Sequence, residues 1–222
     1  MEDIWRLIQR DQFEEACNWI DKEYADTKNL FLLNNKCLAL LHLRKYGELI
    51  TLAEFLIKEN GGISSSNFIN LGIACWFNGD KRRAVVEWQK GDKAKYQDLA
   101  RITCDILLYF SAVMSGDTAL KQNSFKKIGR KVGHEFASNW PVPLGLYLTD
   151  QFSEDELMSC LSINPVLNKR QSCQAYFVLG IKAFEKGDFT RYRTSLIDSV
   201  LQGSSAYLEY MYYIAKGLID SE

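Results

Sequence analysis

The sequence predicts an all-α protein of about six antiparallel helix pairs followed by a closing helix. Three observations predict it. Apolar residues recur at helical spacing along nearly the whole chain, and no segment has the strict alternation of a half-buried strand. Only 3 prolines interrupt 222 residues, too few breakers for the many turns of a β-sandwich. Two ten-residue segments also resemble each other at a spacing typical of stacked helix pairs.

The elements follow in order. Helices are expected over 2–10 and 12–24, the second opened by the aromatic-x-x-Ala pattern of Phe13-Glu-Glu-Ala16. The next pair, 29–42 and 45–59, keeps Tyr46 early in its second helix. Gly61-Gly62 before Ile-Ser-Ser-Ser reads as a turn between pairs. The third pair is 66–78 and 80–91. In 97–115, Leu99, Ile102, Ile106, Leu107, Phe110 and Met114 make one helical face, and Ser115-Gly-Asp117 turns the chain into 117–133. The stretch 136–164 breaks the period and predicts a shortened pair. Trp140-Pro141-Val-Pro143 opens a helix over 142–149, with proline tolerated in the first turn. Ser153-Glu-Asp-Glu156 is a capping box for 153–162. Helices over 170–186, 188–202 and 204–220 finish the chain. No Gly/Ser-rich or charged linker divides it, so 1–222 is expected to be one domain.

The internal similarity is specific. Residues 71–80 read Leu-Gly-Ile-Ala-Cys-Trp-Phe-Asn-Gly-Asp, and 179–188 read Leu-Gly-Ile-Lys-Ala-Phe-Glu-Lys-Gly-Asp. The offset of 108 is three units of 36. Gly72 and Gly180 are expected where the two helices of a pair cross closely. Gly79 and Gly187 suit a turn with positive φ. Asp80 and Asp188 are expected N-caps, and Trp88 and Leu196 fill equivalent core places.

This pattern resembles the tetratricopeptide repeat (TPR), most clearly in 66–91 and 174–200. Phe68, Leu71, Gly72, Gly79, Ala84 and Trp88 stand where that family wants an aromatic, Leu, Gly, Gly, Ala and an aromatic. Tyr176, Leu179, Gly180, Gly187 and Phe189 match in the second unit, with Tyr192 replacing the small residue. The resemblance covers about a third of the chain specifically, and a generic α-solenoid is the structural alternative. It implies a TPR-like α-solenoid whose first helices line a concave face. That face would carry Asn34, Leu38 and His42 early, Ile69, Ile73, Trp76 and Phe77 in the middle, and Phe177, Ile181 and Phe184 late, as a partner groove or as packing between repeats. The C-terminal segment, with Tyr207, Tyr210, Met211, Tyr212, Tyr213 and Ile214, is too apolar for a free helix. It is expected to cap the array or to lie along its concave side.

Charge and chemistry narrow the function classes. Lys plus Arg is 27 against 28 for Asp plus Glu, so no global field draws the chain to nucleic acid or anionic lipid. Residues 61–135 hold 12 basic and 7 acidic side chains and both flanks are mildly acidic, a distribution expected of ordinary solvated faces. Lys81-Arg82-Arg83 and Lys126, Lys127, Arg130 and Lys131 would suit phosphate but lack an aromatic platform. Asp150, Glu154, Asp155 and Glu156 are read as favouring a helix start from solvent. His42 and His134 are far apart, and no zinc-peptidase, hydrolase-elbow, P-loop or dinucleotide-binding motif occurs. No catalytic residues, metal ligands or cofactors are expected. The six cysteines, Cys17, Cys37, Cys75, Cys104, Cys160 and Cys173, are too scattered for a CxxC pair and lie on apolar stripes, as buried free thiols of a reducing compartment do. With no signal-peptide pattern and no apolar run of about 18 residues, a cytoplasmic location is expected.

TPR-like arrays chiefly bind proteins. The resemblance therefore implies a non-enzymatic, bacterial, cytoplasmic protein with one protein partner. An immunity protein that neutralises a cognate toxin leads. An adaptor or chaperone of a secretion or envelope system is the alternative, and a nucleic-acid-associated regulator comes third. Neither membrane nor nucleic acid is expected as the partner.

Overall fold

The computed structural model describes residues 2–97 and 101–221, so Leu99, placed by its spacing on a helix face, lies outside the described residues. The chain is all-α. In order come α1 (Glu2–Gln9), α2 (Phe13–Thr27), α3 (Leu30–His42), α4 (Tyr46–Glu59), α5 (Ser65–Phe77), α6 (Lys81–Gly91), α7 (Thr103–Ser115), α8 (Thr118–Val132), α9 (Val142–Leu148), α10 (Glu154–Ser159), α11 (Pro165–Glu185), α12 (Phe189–Val200) and, after a 3-10 turn at Gly203–Ala206, α13 (Tyr210–Ile219). Among the described residues there is no strand, and no helix is long and apolar enough to cross a membrane.

The helix ends are set by local chemistry. Asp80 and Asp188 each accept a hydrogen bond from the backbone N–H three residues on, at Arg83 (3.0 Å) and Arg191 (2.9 Å). Asp117 does the same for Leu120 at 2.9 Å, and Ser153 with Glu156 forms a reciprocal capping box. Gly79 and Gly187 take φ of +94° and +78°, which Cβ-bearing residues rarely adopt. Three helix starts differ from expectation. α7 begins at Thr103 rather than 97, behind Arg101 at φ +57°. α11 begins at Pro165 rather than 170, because the Asn164 side chain accepts from the N–H groups of Val166 (3.0 Å) and Leu167 (3.2 Å), with proline following the cap. α13 begins at Tyr210 rather than 204, because Gly203 turns at φ +64° and Glu209 is extended.

Successive helices pack side by side from α1 through α9. α11 then lies against α7 and α9 as well as α12, and α13 packs on α5, α11 and α12. The paired glycines are not equivalent. A Cβ at Gly72 would run into the Trp88 indole, so that crossing requires glycine. At Gly180 the nearest atoms, of Ser195 and Tyr192, stand at 3.4 Å, ordinary contact distance. The expected close crossing is therefore present in the first pair only, because Leu196 leaves more room than the larger Trp88.

An aromatic row runs through the core. Trp76 lies 5.9 Å from Trp88 and 5.0 Å from Phe110, and Phe110 lies 5.6 Å from Phe177. It ties α5, α6, α7 and α11 together. Each such side chain contributes about 1.5–3 kcal/mol by leaving water.

Candidate functional site

The ten residues expected on the concave face are mostly interior. Leu38, Ile69, Ile73, Trp76, Phe177 and Ile181 are buried. His42, Phe77 and Phe184 are half-buried, and Asn34 alone of the ten is exposed. The physical reason is α13. Its Met211, Tyr212, Tyr213, Ile214 and Ala215 are buried, and its Gly217 sits so close to the Phe77 ring that no Cβ would fit. The chain's own last helix covers part of the surface on which a partner was expected, and inter-helix packing takes most of the rest. Phe184 packs edge-on to Phe189 and Tyr192, on α12.

His42 is enclosed by rings. Phe13 stacks on it at 4.0 Å, and Tyr207 and Tyr213 meet it edge-on at 4.1 and 4.9 Å. Its Nε2 is buried without a hydrogen-bond partner. Burial, helped by the Lys216 ammonium and opposed by Asp11, pulls its pKa down to about 3, so the imidazole is neutral. This is a packing role rather than a site of chemistry.

Three of the seven basic residues singled out in the sequence form ion pairs within the chain. Lys127 and Lys131 reach Asp92 at 2.9 and 2.6 Å, and Lys131 also lies 2.6 Å from the fully buried Asp105. Arg83 pairs with Glu54, and Lys81 stands over the Trp76 ring at 5.1 Å. On the acidic side, Glu154 pairs with Arg191 and Asp150 with Lys182, so those carboxylates bridge helices in addition to favouring a helix start.

An open cleft of about 370 Å³ lies where Trp140 and Pro141, the first half of α11 and the start of α13 meet. Leu167, Leu208 and Met211 contribute apolar walls. Its floor is a connected polar chain. The Trp140 indole N–H donates to Gln174 Oε1 at 2.5 Å, the Gln174 amide donates to Glu209, and Arg170 Nε donates to the other Glu209 oxygen at 2.5 Å. Glu209 is 7% exposed. Burial raises its pKa, and Arg170 and Gln174 pull the other way. On the rim, Leu167 is 45% and Leu208 43% exposed, and Ile163 and Val166 nearby in the chain are exposed too. The sequence marks Trp140-Pro141 as a helix start but carries no signal for its junction with Glu209, which rests on side chains 35 and 39 positions apart along the chain.

No protein-family model matches the chain, and no curated protein matches it.

Proposed function

We propose that the chain is a TPR-like helical repeat protein that binds one protein partner through the cleft between Trp140, α11 and α13. The observation that carries this reading is the pair Leu167 and Leu208. Both are more than 40% exposed on the rim of one apolar-walled cleft. Exposed apolar side chains gathered at a concave site, above a few fixed polar groups, are the usual make-up of a protein or peptide site. The Arg170 Nη donors suit a partner's carbonyl or carboxylate, while its Nε stays committed to Glu209. Internal pairing of Lys127, Lys131 and Arg83 supports a protein over a nucleic acid as the partner. Neutralisation of a cognate bacterial toxin is the specific form of this role implied by the repeat resemblance, with a secretion or envelope adaptor as its alternative.

Selection of displayed peptides against the wild-type chain, with counter-selection on Leu167→Asp/Leu208→Asp, tests the site. A converging family of apolar sequences that the double variant fails to retain is the expected result. Binders that the double variant retains equally would move the site elsewhere. For the toxin form, rescue of growth when the chain is co-expressed with candidate toxins, lost in the double variant, is the expected outcome.

A further inference from the structure

A second cleft, of about 320 Å³, opens between α8 and α11 and is built differently. Its wall includes Lys182, a lysine only 7% exposed. The Lys182 ammonium has Asp150 Oδ1 at 2.8 Å and Glu185 Oε2 at 3.6 Å. Glu185 is already engaged on both oxygens. Lys121 lies 2.9 Å from Oε1, and the Tyr109 hydroxyl donates to Oε2 at 2.7 Å. Burial alone would raise the Glu185 carboxyl, but Lys121 and Tyr109 outweigh it and hold it below its usual range. The principal counter-ion of Lys182 is therefore Asp150, whose side chain is 65% exposed. Lys126 lines the same cleft, is exposed, and has no acidic partner among the described residues.

The charge count points to a ligand. Three ammonium groups, those of Lys121, Lys126 and Lys182, face one committed carboxylate and one that can turn outward to water. With Asp150 turned away, the cleft holds two uncompensated positive charges. A phosphate monoester carries nearly two negative charges at neutral pH and three acceptor oxygens. The cleft has room for an organic body beside the phosphate, and Phe125 supplies an apolar wall. We propose that this cleft binds a small organic phosphate monoester, whose phosphate takes the place of the Asp150 carboxylate on Lys182 and also engages Lys126 and Lys121. The site is separate from the Trp140 cleft and stands whether or not the protein-partner reading holds.

Calorimetric titration of the full chain with phenyl phosphate tests this, with benzoate as a monoanionic comparison. Saturable binding is expected, and benzoate should bind more weakly. Lys126→Gln should weaken binding about 2–5-fold, the size of one solvent-exposed charge pair. Asp150→Asn removes the competing carboxylate and should tighten binding by a similar factor. Asparagine tolerates the left-handed backbone at this position, φ +59°, so the variant should fold. A melting curve of Asp150→Asn should also rise on adding phenyl phosphate. The proposal is overturned by absence of saturable heat up to about 10 mM probe, weaker than the millimolar range. It is also overturned if Asp150→Asn leaves affinity unchanged, if Arg82→Gln, outside the cleft, weakens binding as much as Lys126→Gln, or if benzoate binds as tightly.

Discussion

The Tyr207 hydroxyl donates to Asp11 Oδ1 at 2.6 Å, joining the turn between the first two helices to the segment that leads into the last one. The Arg44–Asp220 ion pair makes a second tie between the early helices and the C-terminal helix. Tyr207→Phe removes the hydroxyl while keeping the ring against His42 and Phe13. It should cost about 1 kcal/mol in urea unfolding, the net worth of one hydrogen bond. Wild-type stability in this variant would mean the link contributes nothing.

His42 makes the fold acid-sensitive. Its folded pKa of about 3 lies below the ordinary 6.5, so the unfolded chain binds the proton more readily between those values. The stabilisation from keeping this imidazole neutral is full above pH 6.5 and is lost as pH falls towards 3. Near pH 4.5 the loss is about 2–3 kcal/mol. His42→Phe should therefore show a shallower decline of melting temperature from pH 7 to 4.5 than wild type. Equal slopes would remove His42 as the cause.

Trp76 is 5% exposed and packed between Trp88 and Phe110. Trp76→Ala should open a cavity and cost about 3–5 kcal/mol of stability. A variant that keeps its melting temperature but loses a protein partner would restore Trp76 to a surface role.

Gly72 and Gly180 separate cleanly by substitution. Gly72→Ala drives a methyl into the Trp88 indole and should destabilise by several kcal/mol, or prevent folding. Gly180→Ala meets only ordinary contacts, and the helix-propensity gain of about 1 kcal/mol should leave it neutral or slightly stabilised. Similar effects at both positions, read by thermal unfolding, would contradict the difference in packing.

Five cysteines, Cys17, Cys37, Cys75, Cys104 and Cys173, are buried, and Cys160 is half-buried. Burial pushes the Cys37 and Cys173 thiols up to about 12 and Cys75 to about 11, which suppresses the reactive thiolate. Native protein should label at Cys160 first, with the other five reacting only on denaturation. Rapid labelling of several buried thiols by mass spectrometry would show the core opening under native conditions.

Much of the helical plan was legible in the sequence because its signals are local. Asp80, Asp117 and Asp188 cap helices with their own side chains, and Gly79 and Gly187 mark turns by a backbone angle that needs no distant partner. Asn164 and Pro165 carried an equally local start signal for α11, which the weaker apolar periodicity ahead of residue 170 obscured. The candidate sites were not legible in the same way. Glu209, Arg170 and Gln174 meet only after α13 has docked on α11, and Lys121, Lys182 and Asp150 meet only where α8, α11 and the end of α9 converge.

By itself, the sequence determined the all-helical character, the helix caps and turns, including the matching Gly-Asp turns at 79–80 and 187–188, and the apolar surroundings of most cysteines. Each of these depends on interactions within a few residues or on the period of a helical face. Only the tertiary structure decided whether the apolar residues of the first helices face solvent or a neighbour. Periodicity marks an apolar face but not what covers it. Here the docking of α13 and the segment before it covers Phe77 at Gly217, encloses His42 with Tyr207 and Tyr213, and leaves a cleft at the junction beside Trp140.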